Sequence, residues 1–286
     1  MSDYHLKGAE KDLIECIGLW CLNFDELAKD RPVYAIDLLG FGSSSRPHFS
    51  SDAEEAENQT AKFIEEWRKK VGLNTDFVLL GHSMGAFIAA AYVLRHPDRV
   101  SHLILADPWG FSPRPFNPQG MAFKMLRLSY FNPLGFMRKC GPVIGPGLVK
   151  RVRTDINHLY GKVFKDSIIA QYIYDCNAKP PTGEHCFYAM MDSYRWAKYP
   201  MKERICKLRK NLALTFIYGQ LSWVDRNPAE FIKVKRVESS VDIHTIEGAH
   251  HHIYAENPEV FHAHVLAACQ LADNSTSKSA KTTMDN

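Results

Sequence analysis

Short apolar runs bounded by glycine, proline and polar residues recur along the chain, and each has the length and composition of a buried β-strand. Stretches with apolar residues at helical spacing stand between them, for example residues 54–71, with Ile64 and Trp67 on one side. This alternation predicts an α/β protein with a mostly parallel, doubly wound sheet. The predicted strands are residues 33–38, 77–81, 102–107, 212–218 and 241–247, and further helices are predicted at 86–95 and 258–272.

The pattern changes between residues 111 and 204, where strand signals are weak and aromatic residues, prolines and helical stretches are frequent. Because this segment lies between two predicted strands of the sheet, we expect it to form a helical cap over the strand ends. Residues 1–110 and 205–272 are then two parts of one sheet domain. The final residues, 273–286, are polar and poor in aromatics, which predicts a disordered tail.

The composition narrows the class of partner and the compartment. A formal net charge of +3 on 286 residues is too weak to indicate nucleic-acid binding. The seven cysteines are odd in number and form no Cys-x-x-Cys pair, which favours reduced thiols in a cytoplasmic protein over a disulfide framework. No apolar run reaches the roughly 18 to 20 residues of a membrane-spanning helix. We therefore expect any contact with a membrane to be peripheral.

Residues 121–153 of the cap segment combine cations with large apolar side chains. Seven lysines and arginines lie here without any acidic residue. Such a mixture suits a surface that contacts anionic lipid. The alternative is a cap packed on the core with its basic side chains solvated. The cations are Lys124, Arg127, Arg138, Lys139, Lys150, Arg151 and Arg153.

The pentapeptide Gly81-His82-Ser83-Met84-Gly85 carries the most informative chemical signal. It stands between a predicted buried strand and a predicted helix of small residues, which is the setting of a nucleophile elbow. A serine on such a sharp turn presents its hydroxyl at the tip, and Gly81 and Gly85 supply the small residues that the turn needs. We expect the backbone N–H of Met84 to point at the oxyanion of an acyl intermediate. The alternative is an ordinary strand–turn–helix connection.

A serine nucleophile needs a base, and the base needs an acid that orients it. In the fold with this elbow, the chain order is serine, acid, histidine. Asp225 lies shortly after the predicted strand 212–218 and is the candidate acid, with a solvated loop carboxylate as the alternative. The three consecutive histidines in residues 248–252 are the candidate source of the base. Because adjacent side chains diverge and no further ligand stands at zinc spacing, we predict no metal site.

Together these motifs resemble the branch of the α/β-hydrolase superfamily called alpha/beta-hydrolase domain-containing proteins 4 and 5, nearer to the member with an intact serine. The resemblance covers about residues 18–272. It implies ester hydrolysis or acyl transfer on phospholipids, at membranes or lipid droplets. By position it places the nucleophile on Ser83, the acid on Asp225 and the base on His251. The segments that carry it are Gly18-Leu19-Trp20, Asp37-Leu38-Leu39-Gly40-Phe41-Gly42, the elbow, Asp107-Pro108-Trp109-Gly110-Phe111, Ser222-Trp223-Val224-Asp225 and His251-His252-Ile253-Tyr254-Ala255.

The sequence departs from the family pattern at two points. The family's His-x4-Asp motif, linked to acyl transfer, ends here in Glu256, which puts an acyltransferase role in question. The fold ordinarily opens with three strands, the third ending in a His-Gly-x-Gly loop that completes the oxyanion hole, and residues 1–17 contain neither. We therefore expect a truncated chain without its N-terminal strands. Loss of that oxyanion donor is expected to lower the rate by about 10²–10³.

The sequence therefore predicts a serine hydrolase that cleaves carboxylic esters of phospholipids or lysophospholipids, with acyl transfer as an additional activity and with no metal or organic cofactor. We expect it to act at a membrane or lipid-droplet surface and to bind no nucleic acid. The alternative is a non-catalytic regulator of a neutral-lipid lipase, the role of a family member with asparagine at the serine position. An epoxide or haloalkane hydrolase would need an aspartate nucleophile, and Ser83 occupies that place.

Overall fold

The computed structural model describes residues 17–115, 133–164, 168–193 and 196–284. The strands of this part of the chain are β1 (Phe77–His82), β2 (Val100–Ala106), β3 (Met191–Ser193), β4 (Trp196–Ala197), β5 (Ala213–Gly219) and β6 (Val241–Ile246). Short 3-10 turns occur at Ile17–Trp20, Pro97–Arg99 and Ile205–Lys207. The α-helices are α1 (Phe24–Leu27), α2 (Ala53–Lys70), α3 (Met84–Arg95), α4 (Pro133–Lys139), α5 (Gly141–Val152), α6 (Thr154–Tyr160), α7 (Ile168–Ala178), α8 (Thr182–Met190), α9 (Met201–Arg204), α10 (Asn227–Lys235), α11 (Ile253–Glu256) and α12 (Pro258–Met284).

A parallel sheet of four strands in the order β1-β2-β5-β6 confirms the predicted α/β class. Neighbouring strands pair with Leu80 opposite Ile104 and Ile104 opposite Thr215, and the register between β1 and β2 shifts once, between Phe77 and Val78. Every residue of β2 except Ser101 is buried. Burial on both faces is characteristic of parallel sheets that carry helices on each side. β3 and β4, which the sequence did not predict, form a separate antiparallel pair.

The strand predicted at residues 33–38 is wrong. The backbone there forms no strand, and the side chains of Val33 and Tyr34 are exposed, at 38% and 52%. Tyr34 instead lies edge-on to the ring of Trp67 on α2, with centroids 6.0 Å apart. A strand is stable when a neighbouring strand satisfies its backbone hydrogen bonds. Within the described ranges, the 33–38 segment pairs with no strand of the sheet, so its backbone lacks the neighbour that a strand requires.

Helices α2 and α3 frame the elbow, as predicted. α2 begins at a capping residue, Asp52, whose carboxylate accepts the N–H of Glu55 at 2.9 Å. α3 packs against α2, β1 and β2 through a nearly continuous run of buried residues. Small side chains let this helix approach the sheet closely, and those of α3 that are buried are Ala86, Ala89, Ala90 and Ala91.

The described residues form two compact units. One takes residues up to Leu19, Ala35–His48 and Arg114–His185, and it contains the helices α4 to α7. The other takes Trp20–Tyr34, Phe49–Pro113 and the chain from Cys186 onward, and it contains the four-stranded sheet. The helical unit therefore ends at His185, whereas the sequence predicted a cap that extends to residue 204.

Two further sequence predictions concern the basic stretch and the C-terminal tail. Residues 121–132 of the basic stretch, with Lys124 and Arg127, lie outside them. The last helix, α12, runs from Pro258 to Met284, so the tail predicted to be disordered from residue 273 is helical up to Met284. Among the described helices, none combines the length and the apolar composition that crossing a bilayer requires.

Candidate active site

The turn between β1 and α3 has the backbone geometry of a nucleophile elbow. β1 ends at His82, α3 begins at Met84, and Ser83 between them adopts φ 51° and ψ −120°. A positive φ is unfavourable for a residue with a side chain and is found where the surrounding structure enforces it, commonly at active sites. The N–H of Ser83 is held by the carbonyl of Ala106 at 3.0 Å, and its own carbonyl accepts the N–H of Trp109 at 3.2 Å.

Steric contact excludes a side chain at only one of the two elbow glycines. A Cβ placed on Gly81 would lie 2.5 Å from the carbonyl oxygen of Gly85 and 2.7 Å from the Cα of Ala86. That position therefore excludes any side chain. A Cβ on Gly85 would meet no atom within 4 Å. The sequence prediction that both positions need glycine for steric reasons thus applies to Gly81 and not to Gly85.

Met84 is the first residue of α3. The first four N–H groups of a helix have no acceptor within that helix, and the positive end of the helix dipole favours negative charge nearby. The N–H of Met84 therefore has no acceptor within α3, and its role as the oxyanion donor beside Ser83 stays a prediction.

The imidazole of His251 lies in a buried environment made by three elements. Its Nδ1 is 2.5 Å from Oδ2 of Asp107, and both side chains are buried. Its backbone carbonyl accepts a hydrogen bond from Nε2 of His82, the residue before the serine, at 2.7 Å. The rings of His82 and His251 have centroids 4.6 Å apart, and the ring centroid of Trp223 lies 5.2 Å from that of His251. His251 is therefore anchored to His82, which directly precedes Ser83, and to Asp107 at the end of the neighbouring strand.

Asp107 directly follows β2 and is held in place by several groups. Its backbone has φ 43°, and its N–H donates to the carbonyl of Ile217 at 2.7 Å. Its carboxylate accepts the N–H of Gly219 at 3.3 Å and the hydroxyl of Ser222, in addition to the His251 ring. A carboxylate that accepts this many hydrogen bonds has no freedom to turn away from the imidazole.

The same carboxylate influences a neighbouring phenol. Burial, and after it the negative charge of Asp107, raise the pKa of Tyr218 well above its ordinary value. Tyr218 is the residue before the end of β5 and is 2% exposed. A neutral phenol at this position adds no charge to the site at physiological pH.

Asp225, the acid predicted from the sequence, is not paired with His251. Its side chain is exposed, and it accepts hydrogen bonds from the Ser112 hydroxyl at 2.8 Å and from the N–H of Asn227 at 3.0 Å. The second of these bonds ties the carboxylate to the first residue of α10. The sequence prediction that Asp225 orients His251 therefore disagrees with the structure, in which Asp107 makes this contact.

The position of Asp107 along the sequence is itself a signal for a role at the site. An aspartate placed immediately after a buried parallel strand lies at the carboxyl edge of the sheet, where functional groups of such sheets gather. β2 is the direct neighbour of β1, which carries Ser83 at its end, so both residues reach the same edge. Chain order favoured Asp225, but sheet order favours Asp107.

The hydroxyl of Ser83 is buried and makes no hydrogen bond to any described residue. The serine–histidine hydrogen bond of the predicted triad is therefore absent from this structure. Such bonds are commonly long or misaligned without substrate and tighten in the reacting complex. The two components that are already assembled are the strained elbow and the Asp107–His251 pair.

Glu256 holds the backbone on both sides of the histidine. One carboxylate oxygen accepts the N–H of His250 at 2.7 Å and lies 3.0 Å from Nδ1 of its ring. The other accepts the N–H of His252 at 3.1 Å. With the His82 bond to the His251 carbonyl, this carboxylate sets the position of the loop. Among the described residues, His, Cys, Asp and Glu side chains form no group suited to a metal ion.

Comparison with known proteins shows the family of this chain. The sequence profile of the alpha/beta hydrolase fold matches residues 13–135. A (lyso)-N-acylphosphatidylethanolamine lipase of Homo sapiens is 45% identical over 264 residues, which are 90% of this chain and 77% of the relative. The chain belongs to the α/β-hydrolase family. A 1-acylglycerol-3-phosphate O-acyltransferase ABHD5 of Sus scrofa is 46% identical over the same length, 90% of this chain and 75% of the relative.

A solved structure supports the fold of this α/β hydrolase independently. A bacterial membrane phospholipase A superposes with a TM-score of 0.63 at 20% identity, covering 92% of this chain and 77% of the other. At this identity the likeness concerns the fold alone. The relatives confirm the family branch that the sequence motifs indicated.

Proposed function

We propose that this α/β hydrolase is a serine hydrolase that cleaves carboxylic esters, with Ser83 as nucleophile and His251 as base. The observation that supports this most strongly is the buried hydrogen bond between His251 and Asp107, next to a strained serine elbow. A histidine whose Nδ1 donates to a carboxylate presents Nε2 as the acceptor for a serine hydroxyl proton. We assign the orienting role to Asp107 because of this contact, and Asp225 is the alternative from chain order.

In the proposed reaction, the Ser83 oxygen attacks the ester carbonyl carbon while its proton passes to Nε2 of His251. The Met84 N–H stabilises the oxyanion that forms. Collapse of the intermediate breaks the ester bond, and His251 returns the proton to the departing alcohol. Water then attacks the acyl-serine with His251 again as base, which releases the carboxylic acid and restores Ser83. Asp107 stabilises the imidazolium in both halves of the reaction.

We propose a phospholipid or lysophospholipid as the substrate, including forms that are N-acylated at the headgroup. This assignment rests on the name of the lipase relative, which is 45% identical over most of the chain. Such substrates reside in membranes or at lipid-droplet surfaces, so we place the protein there as a peripheral protein of the cytoplasm. Its free thiols, such as Cys186 and Cys269, agree with that compartment.

We propose hydrolysis as the principal activity and acyl transfer as a lesser one. Glu256, at the acidic position of the acyl-transfer motif, forms hydrogen bonds to the backbone around His251. Its carboxylate therefore supports the loop, and this contact leaves it no evident role in delivering an acyl acceptor. The acyltransferase relative supports transfer as an additional reaction of the same acyl-serine.

A non-catalytic regulator of a neutral-lipid lipase is the second candidate function. The observation that favours it is the Ser83 hydroxyl, which makes no hydrogen bond to a described residue. A regulator would use the fold as a binding surface, so its activity on the lipase would be insensitive to loss of the hydroxyl. The two functions therefore make opposite predictions for one substitution.

The test is labelling by a fluorophosphonate probe together with hydrolysis of a lysophospholipid. We expect Ser83→Ala to abolish both. The control Ser51→Ala, which changes an exposed serine just before α2, should retain both. Labelling of the Ser83→Ala protein at the unchanged rate would exclude Ser83 as nucleophile. Absence of labelling in the folded parent chain, with stimulation of a lipase that survives Ser83→Ala, would favour the regulator.

A further inference from the structure

Helix α5 packs into the helical unit through one side only. Its buried residues include Gly145 and Val149. A Cβ on Gly145 would overlap the ring of Tyr174 on α7, so the two helices are in close contact there. This contact fixes which side of α5 faces inward and therefore which side faces the solvent.

The solvent side of α5 carries an unusual pair of features. Val143 is 91% exposed and Ile144 is 58% exposed, although both are large apolar side chains. Lys150 and Arg151 follow seven residues later and are also exposed. Positions seven apart on a helix lie within about 20° of each other, so Lys150 aligns with Val143 and Arg151 aligns with Ile144. The two pairs are about 100° apart around the helix axis, and both lie on the side away from the buried Gly145 and Val149. We call Val143, Ile144, Lys150 and Arg151 the α5 face.

The chain segment that contains the α5 face carries only positive formal charge. The sequence from 133 to 153 contains no acidic residue. Acidic side chains from elsewhere in the same unit reach this segment, where Glu184 pairs with Arg138 and Asp155 pairs with Arg153. The α5 face presents cations beside exposed apolar side chains. It therefore complements a surface with anionic headgroups outside and an apolar interior.

We propose that the α5 face docks the protein on an anionic phospholipid bilayer. Val143 and Ile144 enter the boundary between headgroups and acyl chains, while Lys150 and Arg151 contact lipid phosphates. This deepens the proposed function, because an enzyme with a phospholipid substrate must reach a lipid surface. Docking is nevertheless a separate property, since it involves none of the residues assigned to catalysis.

The size of the α5 face argues against a second copy of the chain as its occupant. A stable protein–protein interface buries about 800 Å² on each partner, far more than four side chains on one helix provide. A bilayer has no such requirement, because apolar insertion and several phosphate contacts add up over a small footprint. A second copy is therefore an outcome that the experiment must detect, and the bilayer is the occupant that we propose.

The test is co-flotation of the purified full chain with phosphatidylcholine vesicles, with and without phosphatidylserine. We expect the protein to float with the vesicles that contain phosphatidylserine, and we expect the floating fraction to fall as the salt concentration rises. Each cation near an anionic surface contributes about fivefold to binding. Replacing both, by Lys150→Gln and Arg151→Gln, should therefore lower the partition coefficient by about 25-fold. Val143→Ser with Ile144→Ser should lower it at least about tenfold.

Helix α10 supplies matched controls on the sheet unit. Val234 is 73% exposed there, between the exposed Lys233 and Lys235. Val234→Ser, and Lys233→Gln with Lys235→Gln, remove similar groups and should leave flotation unchanged. All these positions are exposed, so circular dichroism should show the same unfolding transition in every variant.

Two results would overturn the proposal. One is a folded chain that does not float with anionic vesicles, or that floats equally after substitutions in α5 and in α10. The other is a concentration-dependent dimer in sedimentation that Val143→Ser dissociates, which would assign the α5 face to a second copy. Ser83→Ala should float like the parent chain, so a failure of the hydrolase assignment remains distinguishable from a failure of docking.

Discussion

The assignment of Asp107 as the acid that orients His251 can be tested by comparing two aspartates. Asp107→Asn keeps the shape of the side chain and removes its charge. The amide nitrogen can donate to Nδ1, which places the imidazole proton on Nε2. An Nε2 that carries the proton has no lone pair with which to accept the proton of Ser83. We therefore expect a large loss of activity from this single substitution.

The structure sets limits on the size of that loss. A hydrogen bond to a charged group contributes up to about 3 kcal/mol, which corresponds to about 10² in rate. The contact between Asp107 and His251 is short and fully buried, so we take this as the lower limit. The equivalent change in a chymotrypsin-type triad, which also reverses the tautomer, lowers kcat by about 10⁴. We expect kcat/KM of Asp107→Asn to fall between these values.

Asp225→Asn provides the matched comparison. Asp225 is exposed and bonds to Ser112 and Asn227, so the change should alter activity by no more than about twofold. Both variants are assayed for lysophospholipid hydrolysis and for the rate of fluorophosphonate labelling. Unfolding by urea is followed in parallel, because Asp107 also accepts bonds from Gly219 and Ser222. We expect Asp107→Asn to lose about 1–3 kcal/mol of stability from that network and still to fold.

One pattern of results would refute the reasoning. If folded Asp225→Asn loses 10² or more in the labelling rate while Asp107→Asn stays near the parent value, Asp225 is the orienting acid. The loop 220–227 would then have to rearrange in the active protein. Loss of activity only in proportion to the unfolded fraction would reduce Asp107 to a structural role.

Three further predictions concern stability and the loop of the base. Gly81→Ala should lower the free energy of unfolding, measured in urea, by about 1–3 kcal/mol because the new Cβ meets the Gly85 carbonyl. Gly85→Ala should leave this free energy unchanged or raise it by up to about 1 kcal/mol. Equal effects of the two substitutions would contradict the elbow packing. Hydrogen bonding to Arg68 lowers the pKa of Glu65 to about 2. Because the folded-state pKa is below the unfolded value, ionised Glu65 stabilises the fold at neutral pH, and roughly 3 kcal/mol is lost as the pH falls from about 5 to about 2. Glu65→Gln should flatten this part of the stability profile, and an unchanged slope would refute the assignment. Glu256→Gln should lower kcat about tenfold with little change in KM, because the substitution displaces the loop of His251 without touching the substrate. A change in KM alone would argue against a positioning role for Glu256.

The elements around Ser83, the proposed nucleophile, could be predicted from the sequence because their causes are local. An apolar run, a glycine where a turn excludes side chains and a run of small helical residues suffice to specify β1, the Ser83 turn and α3. The loop of the proposed base was located from chain order, and the family resemblance selected His251 within it. The structure anchors His251 beside the elbow. The strand at 33–38 failed because a strand depends on its neighbour, which an apolar run alone does not reveal.

Tertiary structure decided which aspartate contacts His251. Asp225 and Asp107 each follow a strand of the same parallel sheet, so the local sequence around each supports a role at the carboxyl edge. What separates them is sheet order, which puts Asp107 beside the strand of Ser83, and the fold of the 220–227 loop, which ties Asp225 to α10. Charges interact through space over a few ångströms, and chain order does not determine which carboxylate reaches the imidazole.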